Sequence, residues 1–565
     1  MGRIRSRWAL LVRLGLLRHV ADTIALAAAG LAVEHLHPRL ATGLLAAAWT
    51  LVLGRGLATL RRALPGAVGP TGSAVLARVL VLLGLVALGH PTGLGRLASA
   101  VLALLLLLEG ALVPLVRAAV PLAAHLPGVR VRDVPVLRPK RLFVLVTLGL
   151  GSFGAAVVAH APGAAVLALV CLTAVPVLVV GTDTCLRLLA RRRAVARLAG
   201  ALEAHGPAFV LHFNAPHGSE HQVTMWLPYL DRLERPYVIV LRNPSTFAAV
   251  SRQTDRPVLL CRYAADLDPV VVSTLRTVFY VNTSPRNEHM LRFLELTHIQ
   301  LNHGDSDKAA SYRRVFRAYD KNFVAGQAAI DRFAQHGVRV PLESFAIVGR
   351  PQVDGVAVRP GPPPAGRAPV VLYAPTWNGY HADSRYSSLP VGQEIVRALL
   401  ERGCTVVFRP HPWVWRDRRL ARHAARLVEM LRDDAVRTGR AHGFGPDAET
   451  RCSLADCFNL SDALVSDVSS VIGDFLHSEK PFAVVDMTSG PGEDLLEELP
   501  VARAGYVLSA RTGLDDLEQV LEDLLVADPL ASGRSSLRDY YLGPTRDQEA
   551  DQAFLDAARP YVGPS

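Results

Sequence analysis

The residues best suited to chemistry fall in four short segments, each placed where a run of apolar, β-favouring residues stops. The first is Leu301-Asn302-His303-Gly304-Asp305-Ser306-Asp307-Lys308, after an expected short strand at 298–301. A histidine at a strand end can take a hydroxyl proton near neutral pH, and the glycine beside it lets a ligand approach the backbone. Taken alone, His303 reads equally well as a turn residue. In the second, Val406-Val407-Phe408-Arg409-Pro410-His411-Pro412, Arg409 offers a planar fork for phosphate oxygens and His411 an acid for a leaving phosphate. The plainer alternative is a proline-stiffened turn. The third runs from Asp462 through Asp467, Ser469 and Ser470 to Asp474. There a serine opens a helix-patterned stretch, and its hydroxyl with the first helical N–H groups suits a pyrophosphate, or serves merely as a cap. In the fourth, Tyr373-Ala374-Pro375-Thr376-Trp377, the Thr376 hydroxyl and the Trp377 ring suit a cleft wall, or pack in a core.

Other chemistries lack their residues. No glycine-rich loop runs into Lys-Ser/Thr, which argues against a P-loop ATPase. His212, His217 and His221 lack the spacing of a zinc site and read as surface or loop residues. With 6 cysteines in 565 residues a disulfide scaffold is excluded, and Cys452 and Cys457 read as thiols.

The elements that must hold these segments alternate between strand and helix. Strands are expected at 209–213, 237–241, 258–260 and 277–281, with helical stretches near 220–234 and 285–297. Arg359-Pro-Gly-Pro-Pro-Pro-Ala-Gly-Arg-Ala-Pro369 cannot continue a helix or a central strand and reads as a linker. A second alternation comes after it: strands at 370–374, 405–409, 463–466 and 482–486, helices near 391–402 and 417–432. Such alternation predicts parallel sheets, here in two Rossmann-like domains with a cleft between them. Ligands bind such sheets at the carboxyl ends of the strands, where the four segments lie.

The preceding third is of another kind. The whole chain is 50% hydrophobic and 20% charged, with mean hydropathy +0.25, too apolar for a wholly soluble protein. Apolar stretches near 19–34, 40–60, 74–90, 97–116, 142–160 and 163–181 approach the ~20 residues a bilayer-spanning helix needs. Glu109 falls inside the fourth, where an acid is a functional candidate or a partner in helix packing. Gly149, Gly151 and Gly154 mimic a dinucleotide fingerprint but sit within a span, where close helix packing is the better reading. The net charge of +11 divides into +17 through residue 197 and −6 beyond it, so bulk charge gives no support for nucleic-acid binding. Loops on one side of the six stretches carry 19 Arg and Lys, among them Arg187, Arg191, Arg192, Arg193 and Arg197, against two on the other. That predicts an even number of spans with both termini cytoplasmic.

Five ordered motifs give the sequence a resemblance. His303-Gly304 with Lys308, Gly349-Arg350-Pro351-Gln352-Val353-Asp354, Tyr373–Trp377, Arg409-Pro410-His411-Pro412 and Asp467-Val468-Ser469-Ser470 resemble the CDP-glycerol glycerophosphotransferase family of teichoic-acid polymerases and primases, over about residues 205–530. The resemblance implies a glycosyltransferase-B-like α/β fold, which the apolar stretches place behind an all-α bundle of about six transmembrane helices. The expected domains are a membrane domain at 1–197, an acceptor-side domain at 198–356, a Pro-rich linker at 357–369 and a donor-side domain at 370–565. The resemblance further implies transfer of glycerol phosphate from CDP-glycerol to a hydroxyl of a lipid-linked polymer with release of CMP, without a cofactor or an obligatory metal. Carried over by position, His303 is the base and His411 the candidate acid, with Arg409 on the phosphates. Ser469 and Ser470 hold the pyrophosphate, and Asp467 positions the loop or a glycerol hydroxyl. Gly304, Lys308, Arg350, Thr376 and Trp377 complete the expected substrate contacts. Two other readings stand beside it: a nucleotide-sugar glycosyltransferase of the same fold, and a transporter or flippase whose cytoplasmic part binds the polymer, for which Glu109 is the sole sequence support.

Overall fold

The computed structural model describes residues 16–34, 37–61, 74–119, 122–129, 136–304, 309–378, 386–487, 495–496, 499–510, 513–544 and 549–563. It divides into two compact units, Met1–Ala201 and Leu202–Ser565.

The first unit is helical. Its helices are α1 (Leu16–Val33), α2 (Pro38–Arg61), α3 (Val75–Gly89), α4 (Leu94–Ala118), α5 (Pro139–Val158) and α6 (Gly163–His205). Four of these are long and apolar enough to cross a membrane, while α1 and α3 are shorter apolar helices. The sixth apolar stretch, expected to end near 181, continues as one helix to His205. Nothing between 182 and 205 is a glycine-proline stop, so the arginine-rich stem extends the span. Large apolar side chains face outward, Leu107 (57% exposed), Leu172 (70%) and Leu178 (62%) among them. The polar groups turn inward: Arg78 Nη2 lies 2.6 Å from Glu109 Oε2, both side chains almost fully buried. That outside-apolar arrangement suits a lipid surround. The three glycines of α5 pack as expected, since a Cβ would strike Thr173 at Gly149, Trp49 at Gly151 and Leu85 at Gly154.

The second unit is built on two parallel sheets. Seven strands, β1 (Phe209–Phe213), β2 (Tyr237–Leu241), β3 (Val258–Leu260), β4 (Thr277–Tyr280), β5 (Thr297–Gln300), β6 (Lys321–Val324) and β7 (Phe345–Ile347), run parallel in the order β3-β2-β1-β4-β5-β6-β7. A further five, β8 (Val370–Ala374), β9 (Thr405–Phe408), β10 (Ala463–Asp467), β11 (Phe482–Asp486) and β12 (Tyr506–Ser509), run parallel in the order β9-β8-β10-β11-β12. Val, Ile, Leu and Phe fill the central strands of both sheets without alternation, because both faces of a parallel sheet are covered. In each sheet the order reverses direction once, between β1 and β4 and between β8 and β10. These are the switch points where such sheets bind ligands.

His212, expected at the surface, instead lies in β1 at 0% exposure. Burial keeps its ring neutral, lowering its pKa to about 3. The last helix, Glu549–Val562, comes after the second sheet in sequence yet packs on the first. Phe554 meets Trp226 and Phe323, and the Tyr561 carbonyl accepts a hydrogen bond from Thr277 Oγ1. Between the sheets the chain is clasped to the second lobe, where Arg359 and Arg367 both pair with the buried Asp462.

Candidate active site

The His411 turn is fixed by the helix that comes after it. Asp417 accepts hydrogen bonds from the N–H groups of Arg419 and Leu420 and so starts the helix Arg418–Thr438, which Gly439 ends at φ +77°. Leu420, Ala424, Leu427 and Leu431 are buried along one face of that helix, a helical spacing that holds it to the core. Before it, His411 caps the short 3-10 turn Pro412–Arg416, its Nδ1 accepting from the Trp413 N–H at 3.1 Å. In the neutral ring the proton then sits on Nε2. The His411 N–H donates to the Pro375 carbonyl at 3.0 Å, and the Arg409 N–H to the Tyr373 carbonyl at 3.0 Å. Trp377 stands edge-on to Trp413, ring centres 4.5 Å apart, and 6.1 Å from the His411 ring.

These segments converge because they leave three neighbouring strands in the same direction. Tyr373–Trp377 ends β8, Arg409–Pro412 ends β9 and Asp467–Ser470 ends β10. With strands ~4.8 Å apart, the loops span about 10 Å. Asp467 ties them: its carboxylate, fully buried, accepts from the Thr376 N–H (2.8 Å) and from the N–H and hydroxyl of Ser388 (2.8 and 2.9 Å). Of the two roles expected for it, loop positioning is the one its contacts serve. Ser469 caps the helix Ser470–Leu476, and Ser469 and Ser470 are half-buried. Thr376 is 7% exposed, so its side chain belongs to the loop's packing.

Two arginines differ from expectation. Arg409 turns Nη1 to the carbonyls of Ala448 and Cys452, which leaves less of its fork for phosphate oxygens. Arg350 is 5% exposed and pairs with Asp474 through Nε (2.8 Å) and Nη2 (3.3 Å). Lys308, with Asp305, Ser306 and Asp307, lies outside the described residues.

His303 comes from the other lobe, after β5. Asn302, at φ +58°, turns the chain there, a conformation asparagine tolerates better than most residues. Its carbonyl accepts from Trp226 Nε1 at 2.7 Å. His303 Nδ1 donates to the Val281 carbonyl at 2.8 Å, so the lone pair is on Nε2. Burial lowers the ring's pKa to about 4, with the Val281 hydrogen bond opposing and His221 and Arg350 adding to the shift. Gly304 lies against Ser470: a Cβ would sit 3.3 Å from the serine Cβ. The first and third motifs therefore meet across the cleft.

A second contact, unread in the sequence, brackets the other side. Arg416 Nη2 donates to the His217 carbonyl at 2.6 Å, and Trp413 Nε1 to the Gly218 carbonyl at 3.2 Å. Gly218 is at φ +88°, and a Cβ would strike Arg416. His217 Nδ1 in turn lies 2.6 Å from Glu220 Oε1. The position of this loop after β1, at the switch point, was the available signal; zinc spacing was the wrong test for its histidines.

Residues 356–489 match the model of a family described as CDP-glycerol:poly(glycerophosphate) glycerophosphotransferase. That segment resembles the CDP-glycerol glycerophosphotransferases. The matched glycerophosphotransferase segment holds the motifs at Tyr373–Trp377, Arg409–Pro412 and Asp467–Ser470, while His303 and Arg350 precede it. No curated protein matches the chain. Among solved structures it is similar to the wall teichoic acid polymerase TagF, at 11% identity over 66% of this chain and 94% of that one, TM-score 0.40. It is also similar to a putative UDP-N-acetylglucosamine 2-epimerase from Listeria monocytogenes, at 12% identity over 62% and 96%, TM-score 0.42. A third is CalG4, the calicheamicin glycosyltransferase, at 13% over 63% and 98%, TM-score 0.39.

Proposed function

We propose that this chain is a membrane-bound glycerophosphotransferase that moves glycerol phosphate from CDP-glycerol to a hydroxyl of a lipid-linked or teichoic-acid-like acceptor, releasing CMP. The observation that carries the reading is the family match itself, whose segment contains all three loops at the carboxyl ends of β8, β9 and β10. The two sheets are read as Rossmann-like lobes, the second holding the nucleotide.

The acceptor oxygen attacks the β-phosphorus, its proton passes to His303 Nε2, and the bond from that phosphorus to the CMP oxygen breaks. The Val281 carbonyl holds Nδ1–H, and so aims the basic nitrogen away from the backbone. With a pKa near 4 the ring is in its basic form at neutral pH, and the negative donor raises its proton affinity when it binds. His411, its Nδ1 held by Trp413, offers Nε2–H to the departing phosphate. Ser469 and Ser470 with the N–H groups behind them hold the diphosphate, since transfer of this kind depends on position and charge stabilisation. The helical stem carrying Arg191 to Arg197 continues from a span, and on an anionic inner leaflet each exposed basic residue contributes about 1 kcal/mol; Arg187 is buried and donates to the Ala119 carbonyl instead. Both termini and the catalytic unit are read as cytoplasmic.

The test is incubation of the membrane fraction with labelled CDP-glycerol. CMP release with label in lipid or polymer is expected; UDP release from a UDP-sugar without CMP release would replace the reading with hexosyl transfer.

A further inference from the structure

Arg350 lies where three separated parts of the chain meet. It sits in the turn after β7, its guanidinium pairs with Asp474 on the second-lobe helix, and its Nη2 also donates to the His303 carbonyl at 3.2 Å. Side-chain exposures of 6% and 12% keep the pair out of water. The neighbouring cavity, which Arg350 lines with Gly304 and Gln352, has room for little beyond a water-sized molecule. A guanidinium so enclosed is not presented to a substrate.

The same helix carries Ser470 one turn before Asp474, and Ser470 is the residue that Gly304 touches. The His303 carbonyl is thus held by Arg350, Gly304 faces Ser470 with little more than the space of a Cβ between them, and the His303 ring is held by Val281. The first two restraints come from, or depend on, the second lobe. Opening the lobes would break the Arg350–Asp474 pair, leave a buried charge without its partner, and release the His303 main chain.

We propose that Arg350 and Asp474 form a strut between the lobes that places His303, so that the base is positioned only when the lobes are closed. Arg350 is then a positioning residue and not a substrate ligand. The catalytic part of the proposal rests on His303 being the base of the reaction proposed above; the mechanical part does not.

The experiment uses the full-length protein in detergent with Arg350→Lys and the isosteric Asp474→Asn, each alone and with His303→Ala. Hydrogen exchange without substrate reads the strut directly: faster exchange in both 297–304 and 470–476 is expected, and unchanged exchange in either segment overturns the proposal. Single-turnover CMP release from CDP-glycerol reads the consequence. Each strut variant is expected to lower the rate about 10- to 100-fold, as for a reacting group displaced by up to an ångström, with donor KM changed less than about threefold. In the His303→Ala background the same changes should lower the rate less than about threefold, because the group they position is gone. Independent, multiplying losses in that background would overturn the coupling. A wild-type protein that releases no CMP refutes the proposed reaction, while the exchange result still decides the strut.

Discussion

Asp467→Asn separates loop positioning from substrate contact. The native carboxylate accepts from two backbone N–H groups and one hydroxyl, with no exposure to water. An asparagine keeps one oxygen, which can still accept from Thr376. Its NH2 group then faces the Ser388 N–H, donor against donor. The Ser388 hydroxyl can rotate toward Tyr373, whose OH lies 2.9 Å away. One buried N–H is left unmade, at about 1–3 kcal/mol, and a charge-assisted bond to Thr376 becomes a neutral one. Together these predict a loss of about 2–4 kcal/mol. Denaturant unfolding followed by Trp fluorescence should show the midpoint falling, since Trp377 and Trp413 stand on these loops. Donor KM should rise in parallel as Thr376 and Trp377 shift. A variant with wild-type unfolding and a raised KM would refute this reasoning and make Asp467 a direct ligand of the donor.

The geometry carries three further expected outcomes. For His303, the folded pKa of about 4 lies below the ~6.5 of an unfolded histidine, so the unfolded chain binds the proton first as pH falls. Stability from this group is therefore full above pH 6.5 and is lost between 6.5 and 4; the acid limb of kcat/KM for the free enzyme should lie near 4, and a limb near 6.5 would count against the half-buried, neutral ring. Gly218→Ala forces a side chain into a positive-φ position against Arg416, at about 1–2 kcal/mol, and should loosen the Arg416–His217 contact, read as faster hydrogen exchange at 413–416; unchanged exchange would argue that this contact does not hold the lobes. Asp354 has its pKa raised to about 6 by burial, so the folded state gains protons over the unfolded one between about 4 and 6 and stability from this group falls as pH rises through that window. Asp354→Asn should thus raise the melting temperature at pH 7.5 and not at pH 3.5, and an equal gain at both would exclude its titration as the cause.

Much of the fold was legible because it is written in local pattern. Continuous β-branched and apolar runs located β1, β2, β3, β8 and β11 to the residue, since a strand covered on both faces is apolar at most positions rather than at every second one. The six apolar stretches all became helices, although the end of the sixth was misplaced: a charged stem continues a helix as readily as an apolar one, and hydrophobicity does not mark its stop. The Arg78–Glu109 pair was half visible, through Glu109. Its partner lies 31 residues away and on another helix, which no spacing rule connects.

By itself the sequence determined which candidate residues stand in the loops at the strand ends. His303, His411, Asp467 and Ser469 each come at the end of a recognisable strand, and a parallel sheet sends all such loops to one edge. The tertiary structure alone decided what each side chain does there. Arg350 and Asp474, 124 positions apart, became a buried pair, Arg409 turned partly to main-chain carbonyls, and two carbonyl and amide contacts chose opposite ring protonation for His303 and His411. Strand and helix arise from interactions within a few residues, whereas the partner of a charge or an imidazole is set by whichever groups folding brings beside it.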